Sequence, residues 1–280
     1  MVTDPLAQHG EGVIWDKSAG VVRWVDLLRG DILTLVPATG NVGRLHVGPV
    51  AAAMRPRRTG GLVIALERGF GLLDPGSDAP TSLGDLWTDS SIRMNDGGCD
   101  PQGRFYCGSM AYDASPGRGA VYRLDPDGSA VAIMSGVTIS NGIAWSGDGS
   151  TVYYVDSATQ RVAAYDFDST AGTLRKGRTL VEVAPEDGTP DGMTVDGEGY
   201  LWVAMWGGAA VRRYSPTGQL DDIVALPVRQ VTACAFGGPN LDDLYVTTSR
   251  EGLDQPEAAA GALFRMRLGI TGFPLPEFAG

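Results

Sequence analysis

The sequence has few of the residues on which most zinc and thiol chemistry depends. Among its 280 residues there are two histidines and three cysteines, so neither a three-histidine zinc site nor a two-histidine metalloprotease motif can form. The cysteines are odd in number and lack metal-binding spacing, which favours reduced, buried thiols. We interpret His9 as a structural residue that orients the loop before Glu11, and His46 as a residue of an outer strand, so a Ser-His-Asp triad has little support.

Long apolar runs and excess positive charge are also absent. No stretch approaches the roughly 20 apolar residues that a membrane span requires, and the opening MVTDPLAQHG lacks the basic and apolar regions of a signal peptide. We therefore expect a cytoplasmic protein without a membrane partner. The formal net charge of −11 repels nucleic acid and concentrates cations near any cleft lined by carboxylates. The sequence leaves the oligomeric state open.

What the chain does contain is a repeated pattern of short strands. Runs of β-branched, aromatic and aliphatic residues end at Gly, Asp or Pro throughout, and no segment sustains a helical period. One aromatic-rich run returns six times, at a period of about 40 to 50 residues: VVRWVDL, GLVIALE, RFYCGSM, TVYYVDS, YLWVAMW and DLYVTTS. Six units of that length predict an all-β fold, a six-bladed β-propeller formed by residues 1–280 as a single domain.

The strand that opens each unit carries oxygen-bearing side chains at one shared position. Innermost strands of a propeller line its central channel, so their first residues should face one another at one mouth. Five units place Glu11, Asn95, Asn141, Asp191 and Thr232 at this position, whereas the second unit offers only the apolar AAAM near residue 51. The dipeptides Asn-Gly and Asp-Gly are also common in turns, but turn formation does not explain their shared position.

From this pattern we predict a metal site in the central channel, with Glu11, Asn141 and Asp191 as its ligands. Carboxylate and amide oxygens, without sulfur or imidazole, suit calcium, magnesium or manganese better than a structural zinc. We expect one divalent cation. Calcium is the preferred candidate, and zinc, manganese, magnesium and ferrous iron are alternatives.

Several of these stretches together resemble the senescence-marker-protein/gluconolactonase family of metal-dependent sugar lactonases. The resemblance spans nearly the whole chain and is carried by HGEGVIWD, RMNDGGCDPQGRFYCGSM, SNGIAWSGDG, PDGMTVDGEGYLWVAMWGG and FGGPNLDDLYVTTS. It implies the same three metal ligands. It also implies that Arg93, Asn95 and Asp113 bind the substrate, with Trp206 and Tyr112 as walls of the pocket.

The resemblance implies that the protein hydrolyses a small-molecule sugar lactone to the open aldonic acid. Asp191 would act as the general base, although a metal-bound hydroxide without Asp191 as base remains an alternative. Two other functions stay open: a phosphotriesterase that uses the same metal site, and a non-catalytic propeller that keeps calcium for stability and binds a protein partner. Val13, where the family often has proline, and the short Asp113 leave the ring size and configuration of the sugar undetermined.

Overall fold

A computed structural model of residues 1–280 contains 23 β-strands and three short 3-10 turns, grouped into six antiparallel sheets. Blade 1 contains β1 (Gly10–Asp16), β2 (Val21–Asp26), β3 (Asp31–Val36) and β4 (Asn41–His46). Blade 2 contains β5 (Ala53–Pro56), β6 (Leu62–Ala65), β7 (Gly69–Leu73) and β8 (Thr81–Asp85). Blade 3 contains β9 (Ile92–Cys99), β10 (Phe105–Ala111), β11 (Gly119–Leu124) and β12 (Ala130–Val137).

The second half of the chain repeats this arrangement. Blade 4 contains β13 (Ser140–Trp145), β14 (Thr151–Asp156), β15 (Arg161–Asp168) and β16 (Thr173–Glu182). Blade 5 contains β17 (Thr189–Val195), β18 (Leu201–Trp206), β19 (Ala210–Tyr214) and β20 (Leu220–Ala225). Blade 6 contains β21 (Val231–Gly237), β22 (Asp243–Thr248) and β23 (Phe264–Arg267). The 3-10 turns span Leu27–Arg29, Ser157–Thr159 and Pro185–Asp187.

The order of strands within each blade places the first strand innermost. Each sheet runs in chain order from its first strand to its last, and the first strands of neighbouring blades contact one another around the ring. Every residue of β21 is buried, whereas every residue of the outer strand β8 is exposed. These observations confirm the predicted six-bladed β-propeller.

Aromatic side chains fill the spaces between neighbouring blades. Phe70 of blade 2 meets Phe105 of blade 3 edge-on with ring centroids 5.7 Å apart, and Trp202 of blade 5 meets Phe236 of blade 6 at the same separation. Edge-to-face contacts of this kind add to the burial of two large side chains. Aromatic pairs therefore pack blade 2 against blade 3 and blade 5 against blade 6.

Residues near the two ends of the chain join the ring in different places. The Val2 N–H donates to Leu263 O at 2.8 Å, and the Leu6 and Ala7 N–H groups both donate to Gly261 O. The segment 2–7 thus borders the three-stranded blade 6. Near the other end, the Phe278 N–H donates to Pro56 O in blade 2 at 2.9 Å.

The six aromatic-rich runs of the sequence form the second strand of each blade, as predicted. In blade 6 the third strand, β23, begins only at Phe264, and the carbonyl oxygen of Gly261 accepts the N–H groups of Leu6 and Ala7. None of the helical turns is long and apolar enough to cross a membrane.

Candidate active site

A cavity of about 440 Å³ opens at one mouth of the central channel. Five of the six predicted site residues line it: Glu11, Arg93, Asn95, Asn141 and Asp191. A smaller cavity of about 250 Å³, lined by residues such as Arg55, Trp145 and Phe273, contains none of them. The larger cavity is therefore the candidate active site.

The inner strands bring these side chains together through a shared irregularity. Pairing with the second strand shifts register between Glu11 and Ile14, between Ser140 and Ile143, and between Pro190 and Met193. An irregularity of this kind turns a side chain away from the regular alternation of a strand. The apolar β5 of blade 2 pairs without a shift, which matches its lack of a polar residue at this position.

Two glycines let the bulged strands approach one another. A Cβ atom on Gly142 would lie 2.7 Å from the carbonyl oxygen of Asp191, and one on Gly192 would lie 2.8 Å from that of Thr232. Both separations are shorter than real Cβ contacts allow. The glycine after each polar residue thus permits neighbouring inner strands to close around the axis, which explains the repeated Asn-Gly and Asp-Gly pairs.

The two candidate carboxylate ligands are buried with too little positive charge around them. Burial is the main cause that raises the pKa of Glu11, to about 8, and the nearby charge of Asp96 adds to it. Burial likewise raises the pKa of Asp191 well above its usual value, with further contributions from Glu11 and Asp96. Only Arg93 opposes both effects with a positive charge. A group of like charges in a low-dielectric site is stabilised by a bound cation.

The hydrogen bonds of these residues leave acceptor atoms free. Asp191 Oδ1 is buried and has no hydrogen-bond partner, while Glu11 Oε2 accepts one N–H, from Gly12 at 3.2 Å. A buried carboxylate oxygen without a partner is costly unless a ligand satisfies it. No group of three or more His, Cys, Asp and Glu side chains could hold a metal, so the amide of Asn141 is needed to complete a set of three. The donor set fits a divalent cation.

A chain of hydrogen bonds fixes the orientation of the Asn141 amide. Asn141 Nδ2 donates to Ser157 Oγ at 2.8 Å, and the Ser157 hydroxyl donates to Pro190 O at 2.7 Å. Because the Ser157 hydroxyl donates its only proton to Pro190 O, it must accept a hydrogen bond from Asn141. The amide atom of Asn141 that faces Ser157 is therefore the nitrogen. Asn141 Oδ1 then accepts from Asn95 Nδ2 at 2.9 Å and keeps a second lone pair for a ligand.

Arg93 and Asn95 extend the same chain on the other side of the cavity. Arg93 is only 6% exposed, and its Nη1 donates to Asn95 Oδ1 at 2.6 Å and to Met94 O at 3.0 Å. Its Nε is buried without a partner. A fixed guanidinium with unused N–H groups is suited to bind oxygen atoms of a ligand.

Asp113 does not join the other predicted residues. It is exposed, lies outside the lining of the cavity and accepts the N–H of Ser115 at 3.0 Å. Tyr112 and Trp206 do line the cavity, as expected, and Tyr112 is held by a 2.7 Å hydrogen bond to Glu67. The assignment of Asp113 to the substrate stays a prediction without a supporting contact.

Two aspartates, the buried Asp26 and the half-buried Asp156, anchor the loops that precede candidate ligands. Asp26, at the end of β2, accepts the N–H groups of Gln8 and His9 at 2.9–3.1 Å. Asp156, at the end of β14, accepts the N–H groups of residues 138 and 139 at 3.0 and 2.9 Å. Both loops lead directly into a bulged inner strand, one carrying Glu11 and the other Asn141. We call Asp26 and Asp156 the loop anchors.

Sequence reasoning missed several residues that belong to the site. His9, Ser157 and Glu251 also line the cavity, but His9 was interpreted as structural and the other two were not considered. A signal for Ser157 and for both loop anchors was present, because Val-Asp followed by a 3-10 turn ends the second strand in blades 1 and 4. No signal in one sequence identifies Glu251.

Comparison with known proteins identifies relatives that match nearly the whole chain. The family model described as "SMP-30/Gluconolactonase/LRE-like region" matches residues 9–250. Regucalcin of Xenopus laevis is 35% identical over 97% of this chain and 95% of its own. A Bacillus subtilis (strain 168) protein provisionally named sugar lactone lactonase YvrE is 32% identical over 99% of this chain and 97% of its own. The solved structure of a luciferin-regenerating enzyme superimposes with a TM-score of 0.93 at 32% identity, covering 100% of this chain and 97% of that one.

Proposed function

The chain belongs to the SMP-30/gluconolactonase/LRE-like family, and from this membership we propose that it is a metal-dependent hydrolase that opens a sugar lactone to the aldonic acid. The relatives favour a lactonase-type activity, since one of them is named for it. The observation that carries the proposal for this chain is the content of one cavity. Two buried carboxylates and an oriented amide oxygen lie there beside a buried Arg–Asn pair.

Glu11, Asn141 and Asp191 would hold the cation, because they supply the free acceptor atoms described above. Their all-oxygen donor set favours calcium, with magnesium, manganese, zinc and ferrous iron as alternatives. When bound, such a cation polarises a substrate carbonyl and stabilises the negative charge that grows on its oxygen.

Arg93 and Asn95 would bind and orient the sugar. The guanidinium is immobilised by two acceptors on one nitrogen, so its remaining N–H groups are already directed when the substrate arrives. A lactone carries several hydroxyl and ring oxygens that accept such bonds, and a fixed donor loses little entropy on binding. Trp206 and Tyr112 would cover the apolar carbons of the ring.

Asp191 would accept a proton from the attacking water at the carboxylate oxygen that does not hold the cation. Burial and the neighbouring Asp96 both raise the pKa of this carboxyl, which counteracts the weakening of a base by a bound cation. As the tetrahedral carbon collapses, the acyl carbon–oxygen bond of the ring breaks. The proton held by Asp191 then passes to the leaving ring oxygen, which becomes the free hydroxyl of the aldonic acid.

The proposal is tested by acid release from a panel of pentonic and hexonic lactones. Chelator-stripped protein is assayed with and without calcium, magnesium, manganese, zinc and ferrous iron. We expect turnover only with metal, and a fall of about 10²-fold or more in kcat for Asp191→Asn, since general-base catalysis contributes that much. Asp222→Asn, an exposed carboxylate on the outer strand of the same blade, is the matched control and should be fully active.

Three results would point elsewhere. Turnover of a phosphotriester such as paraoxon, with none of any lactone, would favour the phosphotriesterase. A metal-dependent rise in melting temperature without turnover of either substrate class would favour a calcium-stabilised binding propeller. Full lactonase activity in Asp191→Asn would contradict the role given to that residue.

A further inference from the structure

His9 is held against the cavity by one of its two ring nitrogens. The residue is 8% exposed, and its Nδ1 lies 2.7 Å from Ser249 Oγ in blade 6. Its ring packs edge-on against Trp206, with centroids 5.7 Å apart. The loop anchor Asp26 accepts its backbone N–H at 2.9 Å. Main chain and ring are thus fixed from two different blades.

The second ring nitrogen has no protein partner. Nε2 makes no hydrogen bond, and the nearest acidic atom, Glu11 Oε1, is 4.0 Å away. His9 and Glu11 line the same cavity. Nε2 therefore has no partner within the chain and is free to bind a ligand in the cavity.

The contacts of Ser249 determine which nitrogen carries the proton. Ser249 Oγ already accepts the N–H of Glu251 at 2.9 Å. Its own proton can go to His9 Nδ1 at 2.7 Å or to Gln8 O at 3.4 Å, and the shorter contact is the better hydrogen bond. Nδ1 therefore accepts the hydroxyl proton of Ser249, and the ring proton of His9 lies on Nε2.

We propose that His9 is a substrate-binding residue, whose Nε2–H donates a hydrogen bond to an oxygen of the lactone. The inference rests on the proposed function, and it adds a donor to a site in which Arg93 is otherwise the main one. This donor lies beside Glu11 and Trp206, whereas Arg93 is hydrogen-bonded to Asn95. The substrate oxygen it selects must be an acceptor, as every hydroxyl, ring and carbonyl oxygen of a lactone is.

Two substitutions separate this role from a structural one. The amide of asparagine reaches the position of Nδ1, where its oxygen can accept from Ser249, and the amide of glutamine reaches the position of Nε2, where its nitrogen can donate. His9→Asn therefore retains the contact with Ser249 and loses the donor, whereas His9→Gln retains the donor and loses the contact. We expect kcat/KM to fall about tenfold in His9→Asn and no more than about threefold in His9→Gln, as loss of one hydrogen bond predicts.

Two measurements use the calcium-loaded protein: kcat and KM on the best lactone of the panel, and the Kd of the corresponding non-hydrolysable lactam by calorimetry. The third is the Kd of calcium, measured by titration of chelator-stripped protein. The lactam Kd should rise in parallel with the loss of kcat/KM in His9→Asn, while the calcium Kd should stay within about twofold of that of the unaltered protein.

The opposite order, with His9→Gln impaired and His9→Asn normal, would show that His9 serves only to anchor Ser249 and would overturn the inference. A tenfold weaker calcium Kd in His9→Asn would overturn it as well, since His9 would then support the metal. Failure of the unaltered protein to turn over any lactone would instead reject the proposed function. Lactam binding that is unchanged by both substitutions would reject the role of His9 alone.

Discussion

The loop anchor Asp26 offers a direct test of how the site is held together. Its side chain is fully buried and accepts the N–H groups of Gln8 and His9 at 2.9–3.1 Å. In Asp26→Asn both hydrogen bonds lose their negatively charged acceptor. One carboxylate oxygen is also replaced by an N–H₂ group, which cannot accept the backbone N–H that faces it. Each charge-assisted bond contributes about 1.5–3 kcal/mol, roughly twice a neutral one. We therefore expect the free energy of unfolding to fall by about 2–4 kcal/mol.

The same change should also weaken cation binding at the proposed metal site. Glu11 follows the anchored loop directly, so a loosened loop must be ordered again when a cation binds. Ordering one residue costs about 1–2 kcal/mol, which corresponds to a calcium Kd about tenfold higher. Equilibrium denaturation of chelator-stripped protein and calcium titration measure the two effects separately.

Asp127→Asn is the matched control for this prediction. Asp127 also accepts a backbone N–H, that of Ser129 at 2.9 Å, but it does so in an exposed turn far from the loops of the site. We expect its stability to change by less than about 0.5 kcal/mol and its calcium Kd to be unaltered. An Asp26→Asn protein that denatures and binds calcium like the control would refute the reasoning about the loop anchors.

Three further outcomes follow from the site. Burial raises the pKa of Glu11 to about 8, so without metal the folded state binds its proton more tightly than the unfolded chain does; stability falls as pH rises from about 4.5 to 8. Glu11→Gln should reduce that fall in denaturation curves without abolishing it, because burial also raises the pKa of Asp191; an unchanged pH dependence would argue against the assignment to Glu11. Ser157→Ala frees the amide of Asn141 and should weaken calcium binding about threefold or more, measured by calorimetry, whereas equal affinity would show that Asn95 alone orients the amide. Asp113→Asn should change KM by less than about twofold because the carboxylate is exposed; a tenfold rise would show that its turn closes over the substrate.

The inner and middle strands of the fold were predictable because each carries a clear pattern. The second strands are buried on both faces and therefore appear as nearly continuous apolar runs, such as Leu201–Trp206. The outer strands are not recognisable in this way. Thr81–Asp85 is exposed along its whole length, so no apolar residue marks it as a strand, and only its pairing with the third strand makes it one.

The candidate site was predictable where the repeat fixes the position of a residue. Glu11, Asn141 and Asp191 occupy equivalent places in three blades, and the bulges at those places bring them to one cavity. Loop residues follow no such rule. The turn that carries Asp113 contains Ala114 at a positive φ of 55°. Because alanine rarely adopts this conformation, no sequence pattern predicts the path of the turn. The sequence predicts only a structural role for His9, because a single histidine forms no motif with a characteristic spacing.

The closure of the ring has a consequence for the order in which the protein is made. Segment 2–7 is synthesised long before its hydrogen-bond partners at residues 261–263. At about 5–20 residues per second, it waits tens of seconds for them. Ser249 is synthesised shortly before those partners, so the loop with His9 and Glu11 is completed only when blade 6 has emerged. Calcium uptake by ribosome-bound chains of increasing length would therefore mark the moment at which the last blade joins the first.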